Sequence, residues 1–192
     1  MLLKWCSTLK QGSRIISIAG GPIRSGKFAL LVGIVGEKNT IEGVLSSKIR
    51  VNGSDSTHKI IKMISASRFK DEIKIISLNG IAMAGLNVVD LVKVKEELHI
   101  HFLVMTRKRP RPNEIANALK AFSSKSGDDV KPKMDRITEF GEYEFYGDKN
   151  IYVLSDLPKQ SYKQVLDFCI EFQRIAHLVA RGISEGESKG KI

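Results

Sequence analysis

The sequence predicts an α/β fold in which a five-stranded mixed sheet is flanked by helices. Three β-rich runs joined by short loops come first, which favours an antiparallel meander. Helix-like and strand-like patterns then alternate, which is typical of parallel strands joined by helical crossovers. The chain has 192 residues, of which 42% are hydrophobic and 27% charged, so it is long enough and apolar enough to bury a core.

The predicted meander follows a mixed lead-in at residues 1–13. Residues 14–18 form a short β-rich run that stops at Gly20-Gly21-Pro22, because proline does not continue a central strand. Residues 28–35 are almost continuously apolar, as in a buried strand. A hairpin-type loop and a longer, half-polar strand at residues 40–51 complete the meander.

The crossovers begin where Asn52-Gly53 breaks the strand pattern. We expect Ser54 or Asp55 to cap the next helix, because a side-chain oxygen there accepts a free N–H of the first turn. The elements that follow are a helix ending near Phe69, a strand at 73–78, a helix at about 88–98, a strand at 99–105 and a helix at 113–122.

The rest of the chain is predicted to complete a single domain over residues 1–192. Its elements are a linker-like stretch at 123–131, a hairpin of residues 142–146 and 150–154, and helices at about 159–173 and 175–180. The predicted parts are a core at about 14–122, a C-terminal hairpin and helical part at about 132–184, and a mobile tail at 185–192.

The charge balance indicates an anionic partner. Lys and Arg number 31 against 21 Asp and Glu, giving a net charge of +10, which favours nucleic acid but is equally a property of a solvated basic surface. Cys6 and Cys169 are too few for a disulfide framework or a zinc site, and no segment has the length of a signal peptide or membrane span. We therefore expect a cytoplasmic protein that does not enter a membrane, while self-association stays open.

Polar residues follow the predicted strand at 73–78. Asn79 comes directly after it, and Asn87 and Asp90 lie before the next helix. Open α/β sheets bind ligands at the carboxyl ends of their strands, so this is the predicted site. Four basic residues follow the next strand on the same side of the sheet, where they either contact phosphate or form a solvated loop. They are Arg107, Lys108, Arg109 and Arg111.

Several stretches spread over nearly the whole chain are weak singly but specific in combination. They are Arg14–Ile18 with Gly21-Pro22, Val32–Val35, Gly43–Ser46, Val51–Thr57, Ser67–Phe69, Leu78–Ile81, Gly85–Asp90, Arg174–Ala180 and Gly186–Gly190. Together they resemble the archaeal endonuclease dU family, a distant relative of endonuclease V with a ribonuclease-H-like fold. The strand order predicted above is the one that ribonuclease-H-like folds use.

The resemblance implies metal-dependent cleavage of a phosphodiester near an altered base, with Mg²⁺ or Mn²⁺ as cofactor. It implies catalytic positions at Asp55, Asn79, Asp90 and His177. Asp55 and Asp90 are the metal ligands if a metal binds. His177 would act as general acid or base, although a lone histidine on a helix is also compatible with a packed side chain. Asp55 is equally readable as a helix cap, and Asp90 as a residue stabilised by a helix dipole.

The chain departs from the family pattern at the acids. Ala19 and Gly20 stand where relatives have two aspartates, and Asn79 stands where they have a third. Mg²⁺ relies on carboxylate oxygens, so we expect a degenerate metal site with weak activity. The alternative is a catalytically inactive nucleic-acid-binding or partner-binding protein on the same fold, which needs no cofactor. A third alternative is a small-molecule nucleotide site in the same cleft, but the sequence has no phosphate-loop glycine motif to support it.

Overall fold

The computed structural model describes residues 12–23, 26–126, 129–138 and 142–188. The strands are β1 (Arg14–Gly20), β2 (Phe28–Glu37), β3 (Thr40–Arg50), β4 (Ile73–Leu78), β5 (Ala82–Met83), β6 (Asn87–Val88), β7 (His101–Thr106), β8 (Glu144–Tyr146) and β9 (Ile151–Ser155). The helices are α1 (Ser56–Ser65), α2 (Leu91–Leu98), α3 (Pro112–Ser126), α4 (Lys131–Thr138), α5 (Lys159–Lys163) and α6 (Leu166–Glu185). A 3₁₀ turn at Gly147–Lys149 joins β8 to β9.

The main sheet confirms the predicted fold class. Its strand order is β3-β2-β1-β4-β7-β9-β8. The first three strands form the antiparallel meander, and β4 and β7 are added in parallel to β1. The order β3-β2-β1-β4-β7 is the ribonuclease-H-like one. The sheet has seven strands instead of five because the predicted C-terminal hairpin pairs with β7, where β9 runs antiparallel to it. This pairing removes a sheet edge that would otherwise be free.

The two faces of the sheet carry different helices. Ile16 and Ile18 of β1 join the large cluster that also contains residues of α1 and α2. Ala19 lies on the opposite face, where it packs with Ala176 and Ala180 of α6. This division follows from the alternation of side chains along a strand. It places α6 over β1 and β2 and leaves Ile15, Ser17 and Ala19 of β1 and Ile75 and Ser77 of β4 facing that helix.

The region after β4 differs from the prediction. A small hairpin, β5–β6, replaces the simple turn, and α2 begins at Leu91 instead of Val88. The apolar residues Val88 and Val89 are buried in the core without being helical, which explains the wrong helix start. Gly85 has φ +84°, and a Cβ there would lie 2.2 Å from Oδ1 of Asn52, so the hairpin tip requires glycine.

The predicted linker at 123–131 is wrong over most of its length. Helix α3 continues to Ser126, and α4 begins at Lys131. Val130 and Ile137 are buried in the main cluster, which provides the driving force for the additional helix. The helix predicted at 159–173 is divided between α5 and the start of α6. Helix α6 then continues to Glu185, without the predicted break at 174 and beyond the predicted end at 180. The lead-in at 1–11 and the last tail residues, 189–192, lie outside the described residues.

Within the described parts of the chain, no helix combines the length and apolarity that crossing a membrane requires.

Candidate functional site

A cleft of about 470 Å³ opens at the carboxyl ends of β4 and β7, on the face of the sheet that carries α6. Ten described residues line it, of which three are basic and none is acidic. They are Asn79, Met105, Thr106, Arg107, Lys108, Ile151, Ile170, Gln173, Arg174 and His177. One part of the wall is therefore apolar, from Met105, Ile151 and Ile170, and the other is cationic and polar. We call this site the basic cleft.

A buried hydrogen-bond chain fixes the floor of the basic cleft. Ser17 of β1 donates to Oγ of Ser77 in β4 at 3.1 Å, and Ser77 donates to Oε1 of Gln173 at 3.3 Å. Nε2 of Gln173 donates to the carbonyl oxygen of Ile18 at 2.6 Å. Buried polar groups require such partners. The chain locks α6 against the two central strands and so fixes where His177, one helical turn further along, enters the cleft.

The basic loop after β7 turns sharply at its first residues. The hydroxyl of Thr106 donates to the carbonyl oxygen of Lys108 at 2.8 Å. Arg107 and Lys108 line the basic cleft, whereas Arg109 does not. Arg111 also lies outside the lining and pairs with Glu114 at 2.6 Å at the start of α3. The structure thus divides the predicted basic cluster into two residues at the cleft and two beyond it.

The environment of His177 favours its neutral form. Burial lowers the pKa of this imidazole, and the nearby Arg181 lowers it further, while Glu185 opposes the shift. Arg174, one turn away, pairs with Glu171, whose carboxylate accepts from Nε at 2.8 Å. At neutral pH His177 therefore has one ring nitrogen free of a proton, which suits a general base or a hydrogen-bond acceptor.

Asp55 lies in a separate network, which we call the hairpin network. It consists of Asn52, Asp55, Asn87, Asp90, Lys133 and Arg136 around the β5–β6 hairpin. The Asp55 carboxylate accepts from the Arg50 N–H at 3.1 and 3.3 Å and from Nδ2 of Asn87 at 2.7 Å. Asp55 stands at the cap position of α1 but makes no side-chain cap bond, contrary to the predicted cap.

Asn87 connects three segments and is completely buried. Its Nδ2 donates to the carbonyl oxygen of Arg50 at 2.9 Å, and its Oδ1 accepts from the N–H of Ser56 at 3.0 Å. The amide thereby satisfies backbone groups at the end of β3 and the start of α1 that would otherwise be buried without partners. Asn87 thus acts inside the fold and does not face an open cavity.

Asp90 is the N-cap of α2. Its Oδ1 accepts from the N–H of Lys93 at 2.9 Å, and its Oδ2 lies 3.5 Å from Nε of Arg136 in α4. Its own N–H donates to Oγ1 of Thr57 at 2.9 Å. The nearly buried Lys133 adds a second link from α4, because its Nζ donates to the carbonyl oxygen of Asn52 at 2.8 Å. These contacts hold the hairpin and α4 together.

The structure brings together only part of the predicted catalytic set. Asn79 and His177 meet Arg107 and Lys108 at the basic cleft, while Asp55 and Asp90 are not among the residues that line it. No group of three or more His, Cys, Asp or Glu side chains in the described residues is arranged to hold a metal ion. The cleft offers amide, hydroxyl and imidazole groups, which do not fit the carboxylate preference of Mg²⁺ or Mn²⁺.

Ala19 shows where a lost acid would have pointed. Because side chains alternate along β1, Ala19 faces α6, as Asn79 does at the end of β4. Gly20 faces the β5–β6 hairpin instead, where an added Cβ would lie 3.9 Å from the backbone N of Ala84. Of the two positions where the resemblance expects aspartates, only position 19 therefore shares a face with Asn79 and His177.

Sequence reasoning missed Thr106, Gln173, Arg174 and the apolar part of the cleft wall. The spacing of Gln173 and His177, four residues apart on one helix, was an available signal because such residues share a face. The contribution of Ile151 had no such signal, since it depends on the docking of β9 against β7.

Fold and site together define an α/β protein of ribonuclease-H-like strand order with a basic cleft at the carboxyl ends of its parallel strands, to whose wall the described residues contribute no carboxylate. Residues 11–184 match the family described as Endonuclease dU. The chain belongs to the endonuclease dU family.

Archaeal proteins are among the relatives. A UPF0215 protein of Archaeoglobus fulgidus is 34% identical over 166 residues, covering 84% of this chain and 89% of its own length. A UPF0215 protein of Methanothermobacter thermautotrophicus is 31% identical over 193 residues, covering 95% and 93%.

A crystal structure of an Archaeoglobus fulgidus protein of unknown function shares the fold, with a TM-score of 0.80 and 28% identity over 89% of this chain and 98% of that one. The crystal structure of human endonuclease V is more distant, with a TM-score of 0.49 and 11% identity over 85% of this chain and 81% of that one.

Proposed function

We propose that this protein binds nucleic acid in the basic cleft and that its metal-dependent phosphodiester cleavage is weak or absent. The composition of the cleft wall carries the proposal, because Arg107, Lys108 and Arg174 line it and none of its described lining residues is a carboxylate. Lysine and arginine bind phosphates without needing a particular sequence. Cleavage with two divalent ions needs a clamp of acids, which this wall lacks.

The apolar part of the wall suits the same ligand. Met105, Ile151 and Ile170 give the cleft an apolar part for contact with a base, and the three cations that also line the cleft attract its phosphates. The net charge of +10 strengthens attraction to a polyanion, and the family name supports DNA as the ligand. We infer from the resemblance that DNA containing a deaminated base is the relevant ligand.

Residual hydrolase activity is the second candidate, and His177 favours it. Its lowered pKa leaves an unprotonated nitrogen at neutral pH inside a cleft that also holds three cations. A general base of this kind promotes attack by water, although on its own it provides only part of the usual rate enhancement. This candidate assigns His177 a direct role and gives Asp55 and Asp90 none.

The test is DNA binding by fluorescence anisotropy between about 50 and 200 mM salt, the range over which phosphate contacts weaken strongly. The probe is a fluorescent DNA of about 20 nucleotides that contains deoxyuridine, used in single-stranded and in double-stranded form. We expect Arg107→Ala with Lys108→Ala to weaken binding and to reduce the slope of log K against log salt by about 1 to 2. The charge-matched control, Lys70→Ala with Lys74→Ala, removes two lysines near the amino end of β4.

The outcomes of this experiment distinguish phosphate contact at the basic cleft from an effect of net charge alone. Weaker binding and a flatter salt slope in the cleft variant alone support the proposal. Equal losses in the cleft variant and in the control would mean that only the net charge matters, and an unchanged slope in the cleft variant would refute phosphate contact at the basic cleft.

A further inference from the structure

The edge strand β3 presents a row of backbone groups that no described residue pairs. The N–H of Arg50 donates to Asp55 and its carbonyl oxygen accepts from Asn87, so the backbone groups of Arg50 point away from β2. The N–H of the next residue, Val51, instead donates to Lys27 on the side of β2. Because backbone directions alternate along an antiparallel ladder, the groups of Lys48, Ser46 and Val44 also point outwards.

This edge is long and regular. The register between β2 and β3 runs without a break from Phe28 opposite Arg50 to Val35 opposite Gly43, and the bulge lies beyond that, at Gly36. Residues 43–50 contain no proline and no bulge, which are two of the devices that block a sheet edge. No hydrogen bond of the described residues engages the outward groups of Val44, Ser46 and Lys48.

A groove of about 320 Å³ runs beside this edge, between β3 and α1. Its floor is formed by Leu45, Met63 and Ala66, and Lys59 and Lys62 of α1 line it. Neither lysine forms an ion pair within the described ranges, and neither does Lys48 on the strand itself. A strand added at this edge would therefore have its side chains on the groove face directly beside two unpaired cations.

We propose that the free edge of β3 binds an extended peptide segment that carries carboxylates at alternate positions. Backbone hydrogen bonds to Val44, Ser46 and Lys48 would supply affinity, as in other cases of strand addition. Alternate side chains of an added strand point to one face, so its acids reach Lys59 and Lys62 while its other residues lie beside the exposed Val44.

Charge decides between this partner and a second copy of the chain. Antiparallel pairing of two β3 strands would place Lys59 and Lys62 of both copies next to one another along one groove, and such like charges oppose association. An acidic strand neutralises the same residues.

The probe is a fluorescein-labelled peptide of five Val-Glu repeats, and binding is measured by anisotropy. We expect Lys59→Ala with Lys62→Ala to weaken binding by about tenfold or more, since two charge contacts are lost. Lys120→Ala with Lys131→Ala, which removes two exposed lysines from α3 and α4, is the matched control and should leave binding unchanged.

Backbone pairing is tested separately from charge. The same peptide N-methylated at its four central residues keeps its carboxylates but loses donors on both edges, so we expect it to bind at least about tenfold more weakly. Ser46→Pro removes one outward N–H without touching the ladder to β2, and Ser46→Ala is its control. Thermal unfolding checks that both variants fold, and the N-methylated peptide tests the unaltered protein.

The proposal would be overturned if the N-methylated peptide bound as tightly as the ordinary Val-Glu peptide. It would equally be overturned if a Val-Lys peptide bound as tightly as the Val-Glu peptide. It would also be overturned if light scattering showed a dimer that excludes the peptide, since a second copy would then occupy β3. None of these results bears on the basic cleft, whose residues lie on other elements.

Discussion

The basic cleft and the hairpin network lie on neighbouring parts of the same sheet end, but they use their polar side chains differently. In the hairpin network, Asp55 and Asp90 accept hydrogen bonds from backbone N–H groups and contact Asn87 and Arg136. In the basic cleft, Arg107 and its neighbours line an open cavity. The acids that match the family pattern are therefore built into the fold, and none of the described residues that line the open site is an acid.

This difference shows that an acid can have a structural role that needs no metal. A carboxylate such as that of Asp55, which accepts from a backbone N–H and from the buried Asn87, is costly to remove whether or not a metal is bound. Carboxylates grouped only to hold a metal would repel one another without the ion, a repulsion that Ala19 and Asn79 do not generate. Identity with the family pattern at Asp55 and Asp90 thus reports a structural role in the hairpin network.

The sharpest test of the hairpin network is Asp55→Ala. It leaves the N–H of Arg50 and one donor of Asn87 without their acceptor, so we expect a loss of about 3 kcal/mol in the free energy of unfolding. DNA affinity should change by less than about twofold, because Asp55 does not line the basic cleft. Urea unfolding and anisotropy provide the two readouts, and a selective loss of DNA binding would show that Asp55 serves the ligand.

A smaller loss of stability is expected at Asp90. Asp90→Ala removes the N-cap of α2 and the contact with Arg136, which should cost about 1 to 2 kcal/mol. Asp90→Asn keeps a good capping oxygen and should cost clearly less, because asparagine and aspartate cap about equally well. Urea unfolding of both variants measures this difference. If Asp90→Asn instead abolished a divalent-ion-dependent activity, Asp90 would be a metal ligand.

The smallest effect is a pH dependence from His177. Its pKa is lower in the folded protein than in the unfolded chain, so the unfolded chain binds more protons between the two values. Stability is therefore full above the unfolded value near 6.5 and falls as the pH drops through it towards the folded value. His177→Gln should lose less stability than the unaltered protein between pH 7 and pH 5, as measured by urea unfolding. Parallel curves would show that His177 does not titrate differently on folding.

Much of the fold was accessible from local patterns. The meander and the two crossovers follow from runs such as 28–35 and 73–78, whose period and length are typical of buried strands. The errors lie where tertiary packing decides. Val88 and Val89 look helical in sequence but are buried in a hairpin and its exit, and the polar stretch at 123–131 is helical at both ends because Val130 docks into the core.

The site was predictable in its location but not in its membership. Asn79 and the basic loop follow strands directly, so strand ends alone place them at one edge. Asp55 and Asn87 are separated by 32 positions, and only the folded chain shows that they contact each other at 2.7 Å. Gln173 reaches the floor of the cleft through bonds to β1 and β4, which local sequence does not encode.

The most direct measurement is cleavage of the deoxyuridine-containing DNA with Mg²⁺ or Mn²⁺ by the unaltered protein, beside Ala19→Asp with Asn79→Asp. That variant restores two carboxylates on the face that carries His177. We predict no divalent-ion-dependent cleavage, or only a trace, by the unaltered protein and a clear gain in the variant. Robust ion-dependent cleavage by the unaltered protein that Asp90→Ala abolishes would contradict a cleft without metal chemistry.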